Sequence, residues 1–215
     1  MQPKEPPFTL YSAQASGSIA VEATLTLLGV PYALVEGATW AEEEARDRVA
    51  PVNPMRQIPT LLMPDGTVMT ESAAILIYLA DLHAQAGLAP APNDAHRAQF
   101  LRWMVYVSSA IYSLHWIKPD VQRIGAPQSA RASVVNAVHD RIAFCWGNMD
   151  SQLNPGRYLL GDELSVLDLY VTVVSRFGPW RERFYEVAPR MTSVVRRVDE
   201  DPRLADFWRE RFPLE

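Results

Sequence analysis

Two adjacent residues, Glu71 and Ser72, suit the binding of a molecule that carries both a carboxylate and an ammonium group. They follow a short predicted strand and open a predicted helix. Because the N-terminus of a helix favours anions and exposes free N–H groups, Ser72 could hold a carboxylate while Glu71 accepts an ammonium group. Plain capping of the helix explains the same two residues, so both interpretations stay open.

A second candidate segment, Arg56–Pro59, reads Arg-Gln-Ile-Pro and precedes a predicted strand. Arg56 could pair bidentately with a carboxylate, and a solvated loop charge fits the position equally well. Gln57 has the same two interpretations. Pro59 cannot donate a hydrogen bond within a sheet, so it marks either the start of a strand or a cis turn.

The segment between the first predicted strand and the first predicted helix is rich in hydroxyl groups. From Tyr11 to Ile19 it reads Tyr-Ser-Ala-Gln-Ala-Ser-Gly-Ser-Ile. Ser18 is placed to cap the helix, and Tyr11 is most simply a core residue. Ser12 and Ser16 remain as possible hydrogen-bond donors to a bound molecule, and Ser16 precedes a helix whose dipole would favour an anion.

The elements that must position these residues alternate between strand and helix over the first 83 residues. Hydrophobic patterning predicts strands at 8–12, 31–35, 58–63 and 67–69, and helices at 18–28, 40–49 and 71–83. A turn at Pro64–Gly66 joins the last two strands into a hairpin. The predicted order is βαβαββα, which is an α/β unit.

The second half of the chain carries helical patterns. A linker rich in proline and glycine is predicted at 85–94, between an α/β domain at 1–84 and an all-helical domain at 95–215. Helices are predicted at 96–117, 129–153, 165–176, 189–198 and 202–211. Within them, Ser165 and Asp168 form a capping box, and Cys145 lies on an apolar stripe as a small buried hydrophobe.

Composition excludes several classes of protein. The 215 residues are 48% hydrophobic and 21% charged, which is enough apolar material for a core, and the net charge of −5 argues against binding nucleic acid. One cysteine excludes an internal disulfide framework and fits a reducing compartment. The four histidines show no metal-ligand spacing, so no metal is expected. No apolar segment resembles a secretory signal or a membrane span, so we expect a cytoplasmic protein without membrane contacts.

The order and spacing of these motifs resemble those of the cytosolic glutathione transferases over nearly the whole chain. The matching segments are Leu10–Tyr11 with the serine-rich turn, Asn53–Leu61, Asp65–Gly66, Thr70–Leu79 and Gly161–Asp168. The resemblance implies a thioredoxin-like N-terminal domain with a mixed four-stranded sheet, a helical C-terminal domain and a homodimer. It also implies glutathione as co-substrate.

The resemblance assigns roles in glutathione binding to the first two segments. It implies a cis bond before Pro59, which turns the backbone N–H and C=O of Ile58 outward to pair with an extended peptide such as glutathione. Glu71 and Ser72 should bind the γ-glutamyl end, and Arg56 could bind the glycine carboxylate. The first 84 residues carry four basic against ten acidic side chains, so recognition should rest largely on backbone amides and a helix N-terminus.

Glutathione chemistry requires the thiolate, whereas an ordinary thiol has a pKa near 8.5 and is mostly protonated at pH 7. Ser16 falls where the serine-type classes place their catalytic serine. Ser12 falls where the tyrosine-type classes carry their tyrosine and is the alternative, with a backbone amide as a third possibility. Gly17 stands where the bacterial beta class has a cysteine, so that cysteine chemistry is absent.

The resemblance implies conjugation of glutathione to a hydrophobic electrophile, as in detoxification. A stripe at helical spacing, Met104, Ser108, Tyr112 and Trp116, is the candidate electrophile site, although core or dimer packing would also explain it. Alternatives are isomerisation, peroxide reduction, or a non-catalytic regulatory role. The loop Asn53–Pro59 resembles that of the zeta class and its maleylacetoacetate isomerases. The zeta Ser-Ser-Cys signature is replaced by Ser16–Ser18, which reads Ser-Gly-Ser.

Overall fold

The computed structural model describes residues 8–41 and 43–213. The chain divides into two compact units. One contains the segment up to Leu88 together with the segment from Asp199 onward, and the other spans Ala89–Val198. The last part of the chain, which was expected to belong to a domain at 95–215, thus groups with the α/β unit.

The first unit is built on a four-stranded mixed sheet. Its strands are β1 (Phe8–Ser12), β2 (Tyr32–Glu36), β3 (Thr60–Leu62) and β4 (Val68–Thr70), in the order β2-β1-β3-β4. β1 runs parallel to β2 and antiparallel to β3, and β3 runs antiparallel to β4. With helices α1 (Ile19–Leu28), α2 (Glu43–Val49) and α3 (Ser72–Leu82), the order is βαβαββα, as predicted.

Burial of apolar side chains explains why α1 and α3 form and pack together in this unit. The first seven residues of α1 are all buried, and the helix ends at Gly29, whose φ of 63° suits glycine. α3 buries Ile75, Leu76 and Leu79 on one side. The turn after β3 carries Gly66 at φ 83°, as the Pro-Asp-Gly sequence predicts.

The second unit is helical. Its helices are α4 (Arg97–Tyr106), α5 (Arg131–Gln152), α6 (Val166–Val174), α7 (Trp180–Val187) and α8 (Pro189–Asp199, which ends at the unit boundary), and α9 (Ala205–Arg211) lies in the first unit. α7 was not predicted from the sequence. Cys145 is buried in α5, as expected.

The prediction of one continuous helix at 96–117 is wrong. After α4 the chain forms a π turn at Val107–Ile111 and then a 3₁₀ turn at Tyr112–Trp116. The hydroxyl of Ser109 donates to the carbonyl of Val105 at 2.7 Å, and that of Ser113 donates to the carbonyl of Ser109 at 2.5 Å. Serines that bond back to the preceding turn in this way disturb regular helical geometry.

The capping box at the start of α6 is confirmed. Asp168 is fully buried, and its carboxylate accepts the N–H groups of Leu159 and Ser165, both at 2.8 Å, and the hydroxyl of Ser165 at 2.7 Å. Burial raises the pKa of Asp168 to about 6, although these donors act to lower it. The box therefore fixes the chain before α6 to the helix start.

Candidate functional site

Strand register brings the three candidate segments to one end of the sheet. Tyr11 pairs with Thr60, and Thr60 pairs with Thr70, so these residues form one row across β1, β3 and β4. The serine-rich loop follows Tyr11 by one residue, Pro59 directly precedes Thr60, and Glu71 directly follows Thr70. Because neighbouring strands lie about 4.8 Å apart, the three segments meet at the same end of the sheet.

The serine loop forms a compact cluster of hydroxyl groups. Ser12, Ser16 and Ser18 are all buried, with Ser16 5% exposed. The hydroxyl of Ser16 donates to the carbonyl of Ala13 at 2.6 Å and contacts the hydroxyl of Ser18. The hydroxyls of Ser18 and Ser12 are 2.5 Å apart, so the three oxygens form a continuous chain.

Ser18 differs from the simple cap that the sequence suggests. It stands at the position before α1, but its side chain makes no hydrogen bond to the first turn of that helix. Its hydroxyl instead bridges Ser12 and Ser16 and accepts the N–H of Ala13 at 3.2 Å. Ser18 therefore organises the loop rather than the helix end.

The hydroxyl of Ser12 donates to the carboxylate of Glu22, which is buried in α1 and pairs with Arg211 in α9. A carboxylate oxygen can only accept, so the single hydroxyl proton of Ser12 is engaged. Neither Glu22 nor Arg211 was predicted from the sequence to belong to the site. The available signal was the lone acidic residue among the apolar residues of α1, because a buried carboxylate requires a partner.

The loop before β3 is organised by Asn53, whose side chain was not assigned a role from the sequence. Its Nδ2 donates to Oγ1 of Thr60 and to the carbonyl of Gln57, both at 3.0 Å, and its Oδ1 accepts the N–H of Met55 at 3.0 Å. The Ile58–Pro59 bond is cis, as the resemblance implied. Among the described residues, the backbone N–H and C=O of Ile58 make no hydrogen bond.

Arg56 lies beside acidic side chains of α2. Its Nη2 is 2.5 Å from Glu43 Oε1 and 2.5 Å from Asp47 Oδ1. The guanidinium of Arg56 lowers the pKa of Glu43 below its ordinary value, first because it donates a hydrogen bond to the carboxylate and also because of its positive charge. Arg56 thus meets two carboxylates of the protein itself. Gln57, next to it, is exposed.

Glu71 and Ser72 occupy the start of α3. Glu71 is exposed at the position before the helix, with φ 65°, a left-handed conformation that residues other than glycine adopt rarely. Among the described residues its carboxylate has no hydrogen-bond partner. Ser72, the first helical residue, is buried. A free carboxylate thus stands beside the N-terminal N–H groups of a helix.

The four residues of the predicted electrophile site do not share one straight helical face. Met104 is completely buried in α4, whereas Trp116 is 50% exposed, with the guanidinium of Arg123 over its ring. Ser108 lies in the π turn, and Tyr112 begins the 3₁₀ turn. The change of helical type between them alters the spacing of four on which their alignment depended.

Tyr112 belongs to an aromatic cluster within the helical unit. Its ring stacks on Phe177, with centroids 5.8 Å apart, and His115 packs against both rings. Burial, with the nearby charge of Lys118, lowers the pKa of His115 to about 3, so its imidazole is neutral at physiological pH. Burial lowers the pKa of Lys118 to about 8, and its Nζ donates to the carbonyl of Gly178 at 2.9 Å.

Neither a metal cluster nor a membrane span is found in the described ranges. At 8–41 and 43–213, no three His, Cys, Asp or Glu side chains are grouped so that they could hold a metal ion. Over the same residues, every helix is too short or too polar to cross a bilayer.

Comparisons with known proteins agree with this geometry. Residues 18–82 match the family model described as glutathione S-transferase, N-terminal domain. The chain is 28% identical over 200 residues to the uncharacterized GST-like protein YncG of Escherichia coli (strain K12), with 92% of this chain and 95% of YncG covered. It is 25% identical over 198 residues to glutathione S-transferase GstA of Escherichia coli O157:H7, with 92% and 95% covered.

A solved structure extends the similarity to three dimensions. A glutathione transferase homologue from Sulfitobacter, crystallised with bound glutathione, superimposes with a TM-score of 0.80 at 25% identity, and the match covers 94% of this chain and 97% of the homologue. The likeness in fold therefore extends over nearly the whole length of both chains. The N-terminal domain match, the bacterial relatives and the shared fold therefore support the glutathione transferase family, and the chain has a thioredoxin-like N-terminal domain and a helical C-terminal domain.

Proposed function

We propose that the protein is an active glutathione transferase in which the hydroxyl of Ser16 stabilises the glutathione thiolate. The observation that carries this proposal is the distribution of protons in the serine cluster. Ser12 donates to Glu22, whereas Ser16 donates to the carbonyl of Ala13, a neutral acceptor that a thiolate can replace. Ser16 is thus the better donor of the two candidates.

The energy of one such hydrogen bond is sufficient for the chemistry. A hydrogen bond to a charged group contributes about 1.5–3 kcal/mol. One pKa unit corresponds to about 1.4 kcal/mol, so a single hydroxyl lowers the thiol pKa by about one to two units. Ser16 also lies two residues before Ser18, the N-cap residue of α1. The dipole of that helix favours an anion such as the thiolate at its N-terminus. At neutral pH, a substantial fraction of the bound thiol would then be ionised.

The two other segments at this end of the sheet, Arg56–Pro59 and Glu71–Ser72, would hold the rest of glutathione. The backbone N–H and C=O of Ile58 offer the two bonds with which an extended peptide pairs. Glu71 is placed to accept the ammonium group of the γ-glutamyl residue, and Ser72 with the helix N-terminus to bind its carboxylate. Arg56 and Gln57 are the candidates for the glycine end, where Arg56 would have to exchange Glu43 or Asp47 for the ligand.

The second substrate would be a hydrophobic electrophile bound by residues of the helical unit. Tyr112 and Trp116 offer aromatic surface, and the exposed ring of Trp116 is the more accessible of the two. Ser108 and Met104 precede them in the chain. Because Met104 is completely buried, it would support the site from behind rather than contact the electrophile.

We also propose that the protein is a cytoplasmic homodimer. The side chains of Leu101, Val105 and Phe144 are exposed on α4 and α5, and Val105 is 58% exposed. Apolar groups of this size at a surface are commonly covered by a partner. Light scattering of the purified protein should give twice the chain mass, and Val105→Glu should give the mass of one chain. A monomeric wild-type protein would contradict the dimer.

Retention on immobilised glutathione and conjugation assays test the proposed function. The wild-type protein should be retained and should conjugate glutathione to members of a panel of halo-aromatics and epoxides. Ser16→Ala should be retained but should turn over at least about tenfold more slowly, as expected for loss of one charge-assisted bond. Ser133→Ala, at an exposed position of α5, is the matched control. A protein that is neither retained nor active would be a non-catalytic member of the family.

A further inference from the structure

A buried ion pair lies directly behind the serine cluster. Glu22 is 1% exposed, and the guanidinium of Arg211 binds it through two bonds, Nε to Oε2 at 2.7 Å and Nη2 to Oε1 at 2.8 Å. The remaining nitrogen, Nη1, contacts Glu36 on β2. Burial alone would lower the pKa of Arg211, but the hydrogen bonds and charges of Glu22 and Glu36 together raise it above its ordinary value.

The ion pair is connected to the proposed catalytic hydroxyl through two serines. Oε1 of Glu22 accepts the hydroxyl of Ser12, which lies 2.5 Å from the hydroxyl of Ser18, and Ser18 in turn contacts Ser16. Since the proton of Ser12 goes to Glu22 and that of Ser16 to the carbonyl of Ala13, the proton of Ser18 is the one left for its contacts with Ser12 and Ser16. The orientation of Glu22 therefore decides how the whole cluster is hydrogen-bonded.

The same C-terminal segment holds the backbone of the loop. The N–H of Ala15 donates to the carbonyl of Arg211 at 3.0 Å, and Nε2 of Gln14 donates to the carbonyl of Glu210 at 3.2 Å. Ala15 has φ 52°, which places it in the left-handed region that residues other than glycine rarely occupy. The end of α9 thus stabilises an unusual loop conformation immediately before Ser16.

We propose that Arg211 is a positioning residue for the thiolate site, where it neutralises Glu22 behind the serine cluster and fixes the loop that carries Ser16. This inference rests on the proposed function of Ser16. It assigns the role to a residue 195 positions later in the chain, in the unit that α9 shares with the sheet. In this role, neither Arg211 nor Glu22 contacts the reacting sulfur.

The charges of Glu22 and Arg211 should shift the thiol pKa in opposite directions. Without Arg211, the carboxylate of Glu22 would place an uncompensated negative charge close to the thiolate and would raise the thiol pKa. Without the charge of Glu22, the positive charge of Arg211 would act in the opposite direction. Within the part of the chain that the structure describes, Glu36 and Tyr32 on β2 and Glu210 on α9 are the other titratable groups around the pair. Burial, followed by the charge of Glu22, raises the pKa of Tyr32, so Tyr32 stays neutral over the range tested.

The test is the pH dependence of kcat/KM for glutathione, measured on the full chain with an electrophile that the wild-type protein accepts. Arg211→Met should move the midpoint of the profile about one pH unit upward, and Glu22→Gln should move it downward. The double variant should return close to the wild-type midpoint, even though its maximal rate falls because the charged contacts of Glu22 with Arg211 and Ser12 are lost. Arg209→Met, at an exposed position of the same helix, should leave both the midpoint and the rate unchanged.

A purely structural role for Arg211 would predict a different pattern. It would lower kcat in all variants of the pair without opposite shifts of the midpoint, and that result would overturn the proposal. If Arg211→Met does not fold, Glu22→Gln alone carries the test, since an unchanged or raised midpoint contradicts the sign argued above. An inactive wild-type protein, or an unchanged rate in Ser16→Ala, would instead overturn the proposed function, and this inference with it.

Discussion

The side-chain amide of Asn53 donates to the hydroxyl of Thr60 at 3.0 Å, and this bond ties the loop before β3 to the first residue of the strand. The same amide nitrogen binds the carbonyl of Gln57, so the segment that contains Ile58 and Pro59 is closed at both ends by one buried side chain. The backbone groups that we expect to pair with glutathione thus depend on a residue that does not itself face the ligand.

Replacing Asn53 should weaken both the fold and the binding of glutathione. Asn53→Ala removes the acceptor of the Met55 N–H and one donor to Thr60 and Gln57, which keep their own bond at 2.8 Å, and each lost bond costs about 0.5–1.5 kcal/mol. We expect a lower melting temperature and a several-fold higher KM for glutathione, with a smaller effect on kcat. Asn136→Ala, at an exposed position of α5, provides the comparison. An unchanged KM in folded Asn53→Ala would show that the loop does not bind glutathione.

Glu43 and Asp47 should compete with glutathione for the guanidinium of Arg56. Arg56→Met should raise the KM for glutathione about two- to fivefold, which is the scale of an exposed ion pair. Replacing both Glu43 and Asp47 by their amides should lower the KM, because the guanidinium is then released. Steady-state kinetics with glutathione as the varied substrate will measure both effects, with Arg183→Met as the control for loss of a surface arginine. Equal KM values in all four proteins would exclude Arg56 from the glutathione site.

The exposed tryptophans of the helical unit allow a test of the electrophile site. Trp116→Ala should raise the KM for an aromatic electrophile by about tenfold, because stacking and apolar contact are lost, while the KM for glutathione stays the same. Trp180 is 64% exposed in the same unit and has no assigned role. Trp180→Ala should therefore behave as the wild-type protein. Identical electrophile kinetics in the two variants would remove Trp116 from the site.

Asp168 should produce a pH-dependent change in stability. Burial raises its pKa from an ordinary value of 3.8 to about 6, so between these values the folded state keeps a proton that the unfolded state has released. The contribution of this group to the free energy of unfolding is therefore complete below the lower value. This stabilising contribution decreases by up to about 3 kcal/mol as the pH rises through the folded-state pKa of about 6.

Denaturant unfolding at pH values from about 4 to about 7 will measure this effect. The stability difference between the wild-type protein and Asp168→Asn should shrink as the pH rises, because the asparagine does not titrate. Asp140→Asn removes a carboxylate from the exposed side of α5 and should give a curve parallel to that of the wild-type protein. A constant difference between wild type and Asp168→Asn would contradict the raised pKa.

Local features of the chain were predictable from sequence. The βαβαββα order follows from hydrophobic periodicity, and the box formed by Ser165 and Asp168 lies within four residues, where capping chemistry is visible. The pairing of Glu22 with Arg211 joins residues 189 positions apart, and no local pattern encodes it. α7 was missed although Trp180, Phe184 and Val187 stand at helical spacing, because the segment has only eight residues and four of them are charged.

The change from α-helix to π turn at Val107 escaped prediction for a different reason. Periodicity indicates only that a segment is helical, whereas the hydrogen bonds of Ser109 and Ser113 to preceding carbonyls are local choices that compete with the regular ladder. Similarly, the spacing of the sequence left both Ser12 and Ser16 as possible hydrogen-bond donors to the thiolate. Their different acceptors, Glu22 and the carbonyl of Ala13, become visible only in three dimensions.

The pKa of the bound glutathione thiol tests the role of Ser16 most directly, and it is measured by the ultraviolet absorbance of the thiolate as the pH is raised in the presence of saturating protein. We predict a pKa about one to two units below that of a free thiol for the wild-type protein, and a value close to that of the free thiol for Ser16→Ala. Ser12→Ala should retain a lowered value. An equally lowered pKa in Ser16→Ala would contradict the assignment of the thiolate donor to Ser16.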